Sequence, residues 1–151
     1  MSKVWKPHAT VAAVIERDGR YLIVEELIKG KLVYNQPAGH LDPNESIVDA
    51  AIRETKEETA WDFKPEYISG IYRWDQTETG RCFLRFSFVG KCNNHNAEQD
   101  LDDGIVRAIW LSREELATDP EKLRSPMVLT CIDDYLAGKK YPLELLTDIN
   151  E

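Results

Sequence analysis

Cysteine is scarce in this chain and shows no pairing pattern. Cys82, Cys92 and Cys131 are odd in number and lack C-x-x-C spacing, which argues against a disulfide framework and a zinc site. Long apolar runs are missing too. No stretch approaches the roughly 18 residues a membrane span needs, and the opening Met-Ser-Lys-Val-Trp-Lys-Pro-His has no apolar signal core. We therefore expect a cytoplasmic protein from a reducing compartment, with no membrane association. Positive charge is in short supply: 19 Lys and Arg stand against 27 Asp and Glu, a net charge of −8. Proteins that grip nucleic acid through a basic surface show the opposite balance, so no nucleic-acid partner is expected. Repeats, linkers and low-complexity blocks are absent as well. A length of 151 residues suits one domain, residues 1–151, with a core that needs no staples.

What the chain does have is a dense run between Gly39 and Trp61, centred on Arg53-Glu54-x-x-Glu57-Glu58. A helix turns about 100° per residue, so positions 54, 57 and 58 share one face. Three carboxylates on that face repel one another unless a hard cation sits between them, and Mg²⁺ takes oxygen ligands of this kind. An acidic solvated helix face is the plain alternative. Such a face would not also require Gly39 and Glu45 at fixed distances ahead of it.

Gly39, Glu45, Arg53, Glu54, Glu57 and Glu58 resemble the Nudix box, the signature of metal-dependent hydrolases of nucleoside-diphosphate-like compounds. Thr55 departs from that pattern, standing where an apolar residue is usual, and Ala60 stands where glycine would end the helix. A Cβ in the left-handed region costs roughly 1 kcal/mol, so Ala60 either bears that strain or the chain leaves the helix another way. The resemblance implies an α/β fold, the Nudix α/β/α sandwich with a mixed sheet between helices. It also implies Mg²⁺ as cofactor, with Mn²⁺ a possible substitute, held by Glu54, Glu57, Glu58 and the carbonyl of Gly39. Arg53 and Glu45 would pair and orient the carboxylates. The proton acceptor stays open between Glu54, Glu57 and an acid of the 93–104 loop, which carries Glu98, Asp100, Asp102 and Asp103.

The remaining elements read as strands at 8–15, 20–27, 31–35, 67–75, 82–89 and 105–111. Asp18-Gly19 signals a hairpin. The box helix is expected over about 45–58, with Asn44 as N-cap and Ile47, Val48, Ala51 and Ile52 on its apolar side. Ser112 and Glu115 form a capping-box pattern, Ser125-Pro126 opens a last helix, and the 93–104 loop is long and polar enough for a lid. Substrate contacts must come from outside the box. Tyr34, Trp74 and Phe83 are candidates to stack a heteroaromatic ring, and Arg85 and Arg124 to fork onto phosphate oxygens; His8 reads as structural.

Further runs look like phosphatase members of the same family: Lys6-Pro-His-Ala-Thr-Val-Ala, Asn35-Gln-Pro-Ala-Gly-His-Leu, Phe83-Leu-Arg-Phe, Leu123-Arg-Ser-Pro and Tyr141-Pro-Leu-Glu. They imply release of inorganic phosphate from nucleoside tri- and diphosphates, from a hydroxymethylpyrimidine pyrophosphate and from thiamine pyrophosphate. The box serves equally a nucleotide-pool pyrophosphohydrolase, an ADP-ribose pyrophosphatase or removal of an RNA 5′ pyrophosphate. A catalytically inactive nucleotide-binding regulatory module is the reading from a different class. Monomer and homodimer are both open.

Overall fold

The computed structural model describes residues 3–151. Its strands are β1 His8–Val14, β2 Glu16–Arg17, β3 Arg20–Ile28, β4 Lys31–Asn35, β5 Ala38–His40, β6 Asp62–Gln76, β7 Arg81–Asn93 and β8 Ile105–Ser112. The helices are α1 Ile47–Thr59, α2 Arg113–Ala117 and α3 Met127–Leu136, with single 3₁₀ turns at Pro120–Lys122 and Leu143–Leu145. Two sheets result. One runs β5-β1-β7-β6, mixed because β1 and β7 are parallel; in the other β3 pairs with β2, β4 and β8, all antiparallel. Both turns flanking β3 are tight: Asp18 and Gly19 lie at φ 53° and 78°, Lys29 and Gly30 at 49° and 79°, the pair of positive φ values a type I′ hairpin demands.

Strand alternation makes two cores. Val11, Ala13, Ile15, Leu22 and Phe88 face α1, packing on Ala50 and Ala51. Val14, Tyr21, Ile23 and Val89 face the other way, onto Met127, Cys131 and Ile132 of α3. Successive residues of one strand point to opposite faces, so strands covered on both sides read as nearly continuous apolar runs, as 11–15 do. Helices on both faces give the α/β sandwich expected. No described helix is long and apolar enough to cross a membrane.

Several boundaries differ from expectation. Ser46, not Asn44, caps α1: its hydroxyl accepts from the Asp49 N–H at 3.0 Å. Asn44 is instead a left-handed turn residue at φ 65°, which holds Glu45 outside the helix. Ala60 does bear the left-handed strain, at φ 62°, ψ 16°. Thr55 fills the apolar slot by donating its hydroxyl to the Ala51 carbonyl at 2.8 Å, so a fully buried polar atom is satisfied within the helix. Strand β6 starts at Asp62, earlier than 67, passing Pro65 at a bulge. The short β5, absent from the strands read in the sequence, pairs with β1 through Ala38, Gly39 and His40. Pro126 takes the N-cap position of α3, one residue ahead of its first turn.

The 93–104 segment is a strap rather than a lid. The Asn96 and Asp102 N–H groups donate to the carbonyls of Ala60 and Glu57, both at 3.0 Å, and Gln99 Nε2 donates to the carbonyl of Lys56 at 2.6 Å. The last carbonyls of a helix have no intrahelical donors. This segment supplies one to Glu57 and a second donor to Lys56, whose carbonyl also takes the Ala60 N–H, and in doing so ties itself down.

Candidate active site

The box helix, the β5 backbone and the strap converge on one place. Glu54 and Glu57 lie a turn apart on α1, and the strap brings Asp102 beside them. One carboxylate oxygen from each of the three can be chosen so that all lie within 4.8 Å of one another. Gly39 belongs there for want of space: a Cβ on it would overlap the Glu54 carboxylate. Its φ is not positive, so close approach rather than conformational freedom demands the glycine.

Arg53 organises the acids. Its Nε and Nη2 donate to the two oxygens of Glu45 at 2.9 and 2.7 Å, its Nη1 to Glu54 at 2.8 Å and Glu57 at 3.3 Å, and its Nη2 also to the His40 carbonyl at 3.0 Å. Hydrogen bonding from Arg53 holds the Glu45 carboxyl below its ordinary range. Burial does the opposite to the box acids: desolvation pushes Glu54 up to about 7 and Glu58 up to about 9. Each would be costly to ionise without a compensating cation. A set of hard carboxylate oxygens crowded together, with Glu54 among them held back from ionising by burial, suits a divalent ion such as Mg²⁺. Glu58 lies outside the three-acid cluster. Its Oε1 accepts the Ala38 N–H at 2.9 Å, fixing β5 against α1.

Beside the cluster opens a cavity of about 340 Å³, whose wall includes Glu54, Glu58, Gly39, Trp74, Phe83, Arg85 and Arg124. Strand register puts His8, Phe83 and Trp74 side by side across β1, β7 and β6. Their rings form a ladder, His8 on Phe83 at 5.3 Å and Phe83 on Trp74 at 5.5 Å, both stacked. Arg85 is buried in the middle of β7. Tyr34, named from sequence as a stacking candidate, is not part of this wall. Lys122 sits 4.5 Å over its ring, and its carbonyl accepts the Arg124 N–H at 2.8 Å, so it acts on the cavity through Arg124. Glu98, Asp100 and Asp103 are not in the acid cluster; Asp102 is. Sequence reading also passed over Asn35 and Gln36, which bond to Arg85, and Glu26, a half-buried acid of the wall whose carboxyl burial pushes up.

An acid cluster suited to a hard cation, next to a cavity walled by aromatic rings and guanidinium groups, is the equipment of a metal-assisted hydrolase of phosphoanhydrides. Comparison with known proteins agrees. The NUDIX domain model matches residues 6–129, and the chain belongs to the Nudix family, as a hydrolase acting on pyrophosphate bonds. Phosphatase NudJ of Escherichia coli strain K12 is 41% identical over 150 residues, 97% of this chain and 95% of that protein. A solved NUDIX hydrolase from Nitrosomonas europaea is 48% identical, with a TM-score of 0.93 over 95% of this chain and 98% of its own. A MutT NUDIX hydrolase from Burkholderia pseudomallei shares only the fold, with a TM-score of 0.72 at 16% identity over 86% of this chain and 98% of that one.

Proposed function

We propose that this protein is a Mg²⁺-dependent, phosphatase-like Nudix hydrolase, with Mn²⁺ able to substitute. It would release inorganic phosphate from nucleoside tri- and diphosphates and from hydroxymethylpyrimidine pyrophosphate or thiamine pyrophosphate. The observation that carries this reading is the Glu54, Glu57 and Asp102 cluster beside a cavity with cationic and aromatic walls. Likeness along almost the whole chain to a protein named as a phosphatase favours phosphate as the product.

The geometry supports the following division of roles. Glu54, Glu57 and Asp102, with the Gly39 carbonyl, are the oxygens we assign to the metal, and Glu58 joins them from the β5 side. When bound, the ion supplies charge neutralisation at the phosphoryl oxygens and acidifies attacking water. Arg53 and Glu45 set the aim of the carboxylates, an outer-sphere role. The proton from water passes to one of Glu54, Glu57 and Asp102. Trp74 and Phe83 stack the leaving group's ring, while Arg85 and Arg124 take phosphoryl oxygens; Tyr34 supports Arg124.

We further propose a single-domain cytoplasmic enzyme, monomeric or homodimeric, acting on small molecules. The segment beyond the matched family region supports one domain: Tyr141 bridges to Ile68, and Leu143 and Leu146 pack on the α1 core. Three buried free thiols suit a reducing compartment.

Product analysis tests this reading. With Mg²⁺ in ¹⁸O-water, nucleotides and thiamine pyrophosphate are expected to give phosphate carrying the label, since attack falls on the terminal phosphorus. Pyrophosphate as product would favour a MutT-like pool-cleaning enzyme, and AMP from ADP-ribose an ADP-ribose pyrophosphatase. Tight nucleotide binding with no product under Mg²⁺ or Mn²⁺ would leave a regulatory module.

A further inference from the structure

Arg85 is 3% exposed yet forms part of the cavity wall. Its Nη1 donates to Gln36 Oε1 at 3.0 Å and to Cys131 Sγ at 3.8 Å, and its Nη2 to Asn35 Oδ1 at 3.0 Å. Its Nε is the only buried side-chain nitrogen or oxygen without a partner among the described residues. The two amide acceptors are neutral. Among the described residues no carboxylate lies within ion-pair distance of Arg85.

A guanidinium keeps its proton in any protein environment, and a buried charge without a counter-ion is costly. An arginine serving only to tie strands together would gain from a carboxylate, and the same cavity wall carries Glu26 and Glu58. Neither is used. Instead Gln36, 1% exposed, has its amide orientation fixed from the far side, because its Nε2 donates to the Val128 carbonyl at 2.7 Å. That donation leaves its oxygen for Arg85. The result is a charge fixed in direction, with the place of its counter-ion left to a ligand.

We propose that Asn35 and Gln36 form a neutral amide cradle that positions Arg85, free of any carboxylate partner, as a metal-independent receptor for a phosphoryl group of the substrate. The proposal rests on the phosphoanhydride reading above and divides the labour within it: one phosphoryl group lies at the Glu54 cluster and another at Arg85.

Gln36→Glu and Asn35→Asp test it, because each near-isosteric change gives Arg85 an internal carboxylate. Asn35→Asp also keeps the Gln36 bond to Val128, so a folding defect in one variant leaves the other decisive. For a nucleoside diphosphate, KM should rise about tenfold or more while kcat stays within about threefold, as loss of a charge-assisted contact to the bound substrate requires. Separately, with EDTA present, pyrophosphate should raise the Tm of the wild type above that in chloride of equal ionic strength, and fail to raise it in the variants. A wild type indifferent to pyrophosphate in EDTA overturns the proposal, as do folded variants with wild-type KM. Hydrolysis at wild-type KM in both variants sinks the receptor and leaves the hydrolase standing. Metal-free pyrophosphate binding by the wild type alone, with no anhydride cleaved under Mg²⁺, does the reverse.

Discussion

Gly39 has no side chain because the Glu54 carboxylate occupies the place where one would go. Its neighbour Ala38 gives its N–H to Glu58, so a three-residue strand fixes two box acids at once. Gly39→Ala should therefore act on the site more than on the fold, since β5 holds ordinary extended backbone. We expect Mg²⁺ affinity or turnover to fall at least about 10–100-fold, the range for disturbed outer-sphere support being a floor where a ligand itself is displaced, with a cooperative melt retained; metal titration and initial rates check it. At this scale the sequence was half legible. Glu54 and Glu57 meet because helical spacing puts them a turn apart, which spacing alone states. Asp102 reaches them only because the strap docks on the end of α1, and nothing in the acidic run 98–103 distinguishes it from its neighbours.

Elements were legible where local chemistry decides them. The capping box at Ser112 and Glu115 forms with both bonds present, and the Asp18-Gly19 turn closes the β2–β3 hairpin. Elements decided by tertiary pairing were not. Ala38-Gly39-His40 has no alternation to mark a strand and becomes one only against β1. The 93–104 segment, polar and long, gave no sign of the helix carbonyls it would satisfy. Ala60 shows how magnitudes settle a departure. Its left-handed backbone costs roughly 1–2 kcal/mol, but the residue is 1% exposed, and its methyl returns about 0.8 kcal/mol by burial. Glycine there would also add unfolded-state entropy of about 0.4–1 kcal/mol. Ala60→Gly is thus expected to leave stability within about 1 kcal/mol of wild type in denaturant melts; a larger gain would mean that the strain outweighs the methyl.

The whole molecule is acidic, at −8, and carries its most reluctant charges at the centre of its site. Burial raises Glu54 to about 7 and Glu58 to about 9 from an ordinary 4.5. The folded state thus holds protons that the unfolded chain has already released. That contribution to stability is complete below about pH 4.5 and is lost as pH rises through 7 and 9. Glu45, Asp133 and Asp134 are shifted downward by their partners, so they weaken the fold only toward acid, outside this window. In EDTA, Tm should decline between about pH 6.5 and pH 9, above the range in which His40, its pKa lowered from 6.5 by burial, works the other way, and the rise in Tm on adding Mg²⁺ should be larger at pH 8.5 than at pH 6, because the ion stabilises the ionised acids. Thermal melts across that range, with and without Mg²⁺, provide the comparison; a Mg²⁺ effect independent of pH would contradict it.

All of this depends on the three-acid cluster holding a divalent ion. Mn²⁺ binding followed by electron paramagnetic resonance tests that most directly, on the wild type and on Glu57→Gln and Asp102→Asn. Saturable binding by the wild type, weakened at least about tenfold in each variant, together with turnover nearly abolished in Glu57→Gln, is the predicted result. Variants that bind Mn²⁺ as the wild type does, or a wild type that takes up none even with a nucleotide present, would contradict it.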